Sequence, residues 1–317
     1  MSIVATPLFA RLLEMTPFSE RELVVLIATA PLRYKDHYIQ KRHGGKRLIS
    51  QPTKEIKYLQ RLLVSRELSA LPVHEAATAY RPGKSTLDHA SPHARAKYLL
   101  KLDFKDFFLS LTNGAIEHRL QLDTDYSRAE RWMLCNLLCR QSKRESGPLR
   151  LAVGAPSSPY VANYLLSEFD SKLGETCDTL SVRYTRYADD MAFSTSIPNT
   201  LHLVHEKVQE LLVTTAYLGL DLNPCKTVNV SSRYGRYLVG LTLSNDGLVS
   251  VGRDEKRRLR AALHQLKMGS LPPDERPRLI GQLAYVYGVD PLFIDTLCKH
   301  FGYVSIGDVV RRQTNTA

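Results

Sequence analysis

From Glu55 to Leu71 the apolar positions Ile56, Leu59, Leu62, Leu63, Leu68 and Leu71 recur at helical spacing, with Lys57, Arg61 and Arg66 on other faces, which predicts a packed helix. The same period predicts one helix over 160–173, burying Leu165, Leu166, Phe169 and Leu173, and another over 201–218. Near the amino terminus, Ser19 followed three residues later by Glu22 is a helix-start signature, so small helices are expected there. Strand-like alternation over 38–49 turns at Gly44-Gly45 and predicts a hairpin crowded with cations. Asn245-Asp246-Gly247 marks a further hairpin turn, and a basic helix is expected from Arg253 to Leu263, with Pro272-Pro273 as a linker before helical spacing resumes over 278–287. Residues 141–148 read as an exposed polar loop, and 153–159 as a tight turn; no internal repeat or low-complexity tract is present.

Against this background one stretch stands apart. Tyr187-Ala188-Asp189-Asp190 lies between two strand-like runs, 181–186 and 191–194, so two adjacent carboxylates fall at a tight turn. Successive strand residues point to opposite faces, and an unpaired buried carboxylate is costly, so the pair is expected at a functional surface. Upstream, Tyr98-Leu99-Leu100-Lys101-Leu102-Asp103 reads as a buried strand that breaks at Asp103, followed by an aromatic turn carrying Asp106. One of these two acids can face the pair. Three carboxylates from two separated strands suit a two-metal phosphoryl-transfer site, because Mg²⁺ prefers oxygen ligands and a metal pair clamps attacking and leaving oxygens.

Composition narrows the partners. A net charge of +11 and 43 Lys plus Arg residues favour a surface that neutralises phosphates. Five cysteines are too few and too odd in number for a disulfide framework, which points to a reducing cytoplasm. Cys135 and Cys139 lie four apart in a helical run without a matching partner pair, so packing is expected there rather than zinc. The longest apolar run, 23–32, is too short to span a bilayer, and acidic residues near the amino terminus argue against a signal peptide.

At this point the residues resemble a known family. Arg47-Leu48-Ile49-Ser50-Gln51-Pro52, Ala79-Tyr80-Arg81-Pro82-Gly83-Lys84-Ser85, the Asp103 strand, Gly154-Ala155-Pro156-Ser157-Ser158-Pro159 with Ala162-Asn163, the Asp189-Asp190 turn, the segment 219–227 and Tyr237-Leu238-Val239-Gly240-Leu241 are similar, in order, to the blocks of reverse transcriptases, most of all the bacterial retron group. The resemblance implies an α+β right-hand polymerase fold: N-terminal helices and fingers over 1–97, a palm over 98–244 with a fingers insertion near 125–155, and a small helical thumb over 245–317. It implies that Asp103, Asp189 and Asp190 hold two Mg²⁺ ions (Mn²⁺ as a substitute) with the Phe104 carbonyl assisting, Asp106 lying outside. Lys226 matches the lysine that protonates departing pyrophosphate. Arg47 matches a triphosphate-gripping arginine, with Lys41, Arg42 and Lys46 able to share that duty; solvated edge charge is the plainer reading of these lysines. Phe108 matches a steric gate against ribonucleotides. Gly154 and Ala155 belong to the loop that cradles template base and nucleotide. Arg81 and Lys84 look like template-backbone contacts, or plain turn charge, and Arg253, Arg257 and Arg260 face RNA or hybrid.

The chain departs from the commonest pattern in three places. Ala152-Val153 stands where many relatives have Pro-Gln. His89-Ala90-Ser91-Pro92-His93 keeps Ala90 and His93 of an Asn-Ala-x-x-His segment, and Leu238-Val239-Gly240 replaces Val-Thr-Gly, the latter linked in the family to recognition of its own RNA; the resemblance groups His93, Val239 and Gly240 with the RNA- and template-binding residues. A retron enzyme binds a folded noncoding RNA from its locus, primes from a guanosine 2′-OH, and uses deoxynucleoside triphosphates to copy part of that RNA into a branched RNA-linked DNA. Enzyme and hybrid often act with an effector or toxin protein in defence against phage. A group II intron-like enzyme, another defence polymerase, and a non-catalytic scaffold serving as an effector's antitoxin are the alternatives.

Overall fold

The computed structural model describes residues 3–40, 44–141 and 146–314, with the side chains of 312–314 outside that description. Two strands, β1 (Tyr34–Gln40) and β2 (Lys46–Pro52), pair antiparallel as the expected ribbon, with Gly44 and Gly45 at positive φ in its turn. The ribbon is exposed along most of β1, and its base is stitched down: Arg140 Nη1 donates to Asp36 Oδ1 (2.8 Å) and Ser50 Oγ (2.7 Å), and the Ser50 amide to the Val153 carbonyl (2.8 Å).

The central sheet is antiparallel. Strands β3 (Tyr98–Asp103), β4 (Arg183–Tyr187), β5 (Asp190–Thr195) and β6 (Val228–Ser231) lie in the order β4-β5-β3-β6. Alternation divides its faces. Leu100, Leu102, Met191 and Phe193 point into a large core built with the helices Pro7–Glu14, Lys54–Leu63, Arg128–Leu138, Ser167–Thr179 and Leu201–Thr214. Leu99 and Ala192 point the other way, into a second core shared with β7 (Arg236–Leu238), β8 (Leu241–Leu243), β9 (Val249–Val251) and the helices Arg253–Lys267, Arg276–Val289 and Pro291–His300. That second core also takes in Ala90 and Ala94, so it joins residues ahead of the central sheet to those from Leu238 onward.

The capping box expected at Ser19 and Glu22 is formed in both directions, opening the Glu20–Thr29 helix. Three expected helices differ from their sequence spacing, the one over 201–218 ending at Thr214 before a separate tight turn, Ala216–Leu218. The one over 55–71 widens after Leu63 into a π-turn, Val64–Leu68, before burying Leu68. The one over 160–173 is two, Ser158–Leu165 and Ser167–Thr179, because the adjacent leucines Leu165 and Leu166 are both fully buried and the break turns both inward. Among the described residues no helix is long and apolar enough to cross a membrane. All five cysteines are free, Cys135 and Cys139 buried as packing residues and Cys225 exposed.

Candidate polymerase active site

Strand register brings the carboxylates together. Asp103 pairs directly with Asp190 across β3 and β5, and paired residues of antiparallel strands project from the same face. The two-residue turn Ala188-Asp189 joins β4 to β5, Ala188 taking φ +59°, and the Phe104 amide donates to the Asp189 carbonyl at 3.2 Å, tying the hairpin tip to the end of β3. Asp106 sits in the following turn, exposed and at φ +45°, so Asp103 is the acid that meets the pair. Phe104 itself is buried, its ring stacked on Phe107.

The charge state of this cluster is uneven. Asp190 is pushed up to about 6, by burial first and then by the Asp189 and Asp103 carboxylates, with Lys101 opposing. Burial and then Asp103 also hold Asp189 above its usual range, against Lys226 and Arg47. Lys226 reaches the site because the Asn223 amide donates to the Asp103 carbonyl (2.8 Å), placing the turn Pro224–Lys226 beside it. Its Nζ lies 2.8 Å from both Asp103 carboxylate oxygens. Partial burial works to lower Lys226, but the Asp103 hydrogen bond and the three carboxylate charges outweigh it and hold the ammonium above its usual range.

These groups line one open cavity of about 590 Å³, with Arg47, Tyr80, Lys101, Tyr187 and Val239 on its other walls. Among the described residues no three His, Cys, Asp or Glu side chains form a ready metal cage. The donor set nonetheless fits hard divalent cations: three oxygen-donor side chains share one cavity, and their mutual repulsion raises proton affinity at Asp189 and Asp190, the field a cation relieves.

The remaining expected residues divide. Arg47 lines the cavity; Lys46 is exposed on the same strand, and Lys41 and Arg42 lie outside the described residues. Phe108 is half-buried with its ring 6.4 Å from that of Tyr80, and Tyr80 rather than Phe108 lines the cavity. Gly154 packs on β2 at φ +114°, where an added Cβ would stand 3.0 Å from Ile49 Cγ2, and Ala155 is buried with Tyr34. Arg81 turns inward and donates to the His74 and Ala77 carbonyls (3.2 and 3.3 Å), while Lys84 lies 3.6 Å from Asp88. Val239, Gly240, Arg253 and Arg257 line a second, adjoining groove of about 1570 Å³ with Arg233, Lys256, Arg258 and Arg278; Arg260 instead lies over the Phe293 ring.

His93 requires a correction. Placed with the template-binding residues by resemblance, it is fully buried: Nδ1 is 2.7 Å from Ser194 Oγ and Nε2 is 2.8 Å from Thr185 Oγ1, so it bridges β4 and β5 from within. A nucleic acid cannot reach it. On the opposite face Arg186, which sequence reasoning passed over, is also fully buried and paired with Asp170. Its signal was available: alternation through β4 sends Tyr184 and Arg186 away from Asp190 into the core, where a guanidinium requires a carboxylate. Lys101 and Tyr80 were likewise missed as cavity residues.

Fold and site together define a templated nucleotidyl transferase of the right-hand, α+β type. The family model for reverse transcriptase (RNA-dependent DNA polymerase) matches residues 39–243. Retron Ec83 reverse transcriptase of Escherichia coli is 35% identical over 288 residues, covering 90% of this chain and 92% of its own. Retron Ec73 reverse transcriptase, also of Escherichia coli, is 31% identical over 278 residues, covering 83% and 85%. Retron Mx162 reverse transcriptase of Myxococcus xanthus is 32% identical over 287 residues, covering 81% of this chain and 58% of its own. The chain belongs to the retron reverse transcriptases and is an RNA-directed DNA polymerase, an activity that in this family depends on divalent metal.

Proposed function

We propose that this enzyme copies part of a structured noncoding RNA from its own locus into a branched, RNA-linked single-stranded DNA. The observation that carries the reading is the Asp103–Asp190 register pairing, with Asp189 at the adjoining turn, in a chain similar over nine-tenths of its length to a retron enzyme. Asp103, Asp189 and Asp190 are the residues to hold two Mg²⁺ ions, or Mn²⁺, with the Phe104 carbonyl assisting. Bound there, the metal pair supplies Lewis-acid stabilisation of the attacking and leaving oxygens. Asp103, which would contribute to holding the metal pair, also holds the Lys226 ammonium at 2.8 Å through both its carboxylate oxygens. Held protonated by the carboxylates around it, Lys226 is a donor suited to departing pyrophosphate. Arg47 lines the cavity, which supports reading it as the residue that grips the triphosphate, with Lys46 contributing longer-range charge.

Residues 1–97 act as N-terminal helices and fingers, 98–244 as palm with an insertion near 125–155, and 245–317 as thumb. The groove lined by Arg253 and Arg257 serves the phosphate backbone of RNA or hybrid. Gly154 and Ala155 serve in the loop that cradles template base and nucleotide, and Phe108 as the steric gate against ribonucleotides. An effector protein and a role in defence against phage complete the reading, in a reducing cytoplasm that suits five free cysteines.

The test incubates purified enzyme with RNA transcribed from its flanking locus, deoxynucleoside triphosphates and Mg²⁺. Discrete DNA covalently attached to RNA is expected, and it disappears with Asp189→Ala or Asp190→Ala. Extension of an unrelated primer without any RNA-attached product from the locus RNA would leave a polymerase but remove the branched-DNA reading.

A further inference from the structure

Tyr80 combines three features that none of the roles above uses. It holds φ +61°, a conformation unfavourable for a bulky L-residue. The residue is half exposed, at 50%, where a large aromatic gains most from burial. It lines the cavity that holds Asp103, Asp189 and Asp190, with the half-buried Phe108 ring behind it, 6.4 Å away and tilted by 54°.

The strain is enforced by its neighbours. Asn163 Nδ2 donates to the Ala79 carbonyl at 2.9 Å, and Asn163 Oδ1 accepts from Arg186 Nη1 at 3.2 Å. The Thr78 amide donates to the Arg186 carbonyl at 2.8 Å, and on the other side Arg81 Nη1 holds the Ala77 carbonyl. The Arg186 guanidinium, whose Nη1 also donates to the Ala188 carbonyl in the acidic turn at 3.0 Å, therefore helps fix the loop presenting Tyr80. Backbone strain of this kind costs on the order of 1–3 kcal/mol and persists only when the surroundings over-determine it, most often at sites of function. Simple packing does not account for it, because the residue is left half exposed at the wall of an open cavity.

We infer that Tyr80 is a substrate-contacting residue of the polymerase site, presenting its ring to the face of a nucleobase in the nascent base pair. A flat aromatic accepts any of the four bases, because every base offers a π-face, which a template-directed enzyme needs. Phe108 backs the ring and limits its rotation. The inference depends on templated DNA synthesis but not on which RNA is the natural template.

The experiment uses full-length enzyme with a homopolymer RNA template, a complementary DNA primer, Mg²⁺ and the matching deoxynucleotide, so that wild-type extension reports polymerisation separately from the identity of the natural RNA. Tyr80→Ala and Tyr80→Gly are expected to lose about tenfold in kcat/KM, mostly through KM, as removal of a base-stacking ring does. Tyr80→Phe recovers most of that loss. Tyr80→Gly relieves the positive φ, so its melting temperature stays at or above wild type while its activity falls, a split that a purely structural tyrosine does not produce. A rise in KM for the deoxynucleotide assigns the ring to the incoming base, and a rise in KM for primer–template assigns it to the template base; either supports the inference. Wild-type kcat/KM in Tyr80→Gly, activity lost only together with melting temperature, or Tyr80→Phe as impaired as Tyr80→Ala would overturn it.

Discussion

Arg186 and Asp170 form a fully buried ion pair directly beneath the acidic hairpin, with Arg186 Nε 2.9 Å from Asp170 Oδ1 and Nη2 2.5 Å from Oδ2. Arg186 Nη1 continues to the Ala188 carbonyl at 3.0 Å, inside the turn that carries Asp189, and Tyr184 donates to Asp170 Oδ1 at 2.7 Å. From the other face His93 bridges the two strands of the same hairpin. Two carboxylates that repel each other are thus held on a turn braced from both sides.

Breaking that pair on one side leaves a buried charge without compensation. Arg186→Ala is expected to lower stability by about 3–5 kcal/mol, whereas an Arg186→Met, Asp170→Leu double variant recovers most of it. Urea unfolding gives the comparison. DNA synthesis by the double variant should stay low, because the Ala188 carbonyl has lost its donor; full activity there would show that the pair serves only the fold.

Lys226 separates charge from proton transfer. Lys226→Ala is expected to lower kcat by about 10²-fold or more, the usual range for losing a general acid, with a smaller change in KM for deoxynucleotide. Lys226→Arg keeps a cation near Asp103 but offers no readily transferable proton, so its kcat stays low. Steady-state primer extension decides, and an arginine variant with wild-type kcat would assign Lys226 to electrostatics alone.

His93 and His89 make the fold acid-sensitive. Burial first, then His89 and Arg183, push His93 down to about 3; burial and then Lys101 push His89 down to about 4. The unfolded chain takes up both protons near pH 6.5, so below that pH it binds more protons than the folded protein and is favoured. The stabilisation is complete above about pH 6.5 and is lost as pH falls towards 4, at up to about 1.4 kcal/mol per pH unit for each histidine. Denaturant midpoints at pH 7 and pH 5 should therefore differ, and His93→Gln should flatten the difference. An unchanged slope in that variant would place the acid sensitivity elsewhere.

Gly154 has no room for a side chain. An alanine Cβ would meet Ile49 Cγ2 at 3.0 Å and the Ser50 carbonyl at 3.2 Å while holding φ +114°. Gly154→Ala is expected to cost about 1–3 kcal/mol and, by shifting the strand that carries Arg47, to raise KM for deoxynucleotide. Thermal melting and nucleotide titration check both halves.

Much of this was legible in the chain itself. Alternation and turn chemistry located the ribbon at Gly44-Gly45 and the acidic hairpin at Ala188-Asp189, and capping located the helix start at Ser19, because these signals act within a few residues. Local patterning did not show where helices break under packing, as at Leu166, or where His93 goes, since a histidine's surroundings come from strands about a hundred residues away.

The sequence by itself determined which residue types were available and which face each would take along its own strand: Asp103 at the end of a buried run, Asp189 and Asp190 at a turn, Arg186 out of phase with Asp190. Only the tertiary structure decided that Asp103 stands opposite Asp190, that Lys226 spans the Asp103 carboxylate, that Arg186 finds Asp170, and that Tyr80 rather than Phe108 lines the cavity. Register between distant strands is set by burying one whole face at once, and no single segment carries that information.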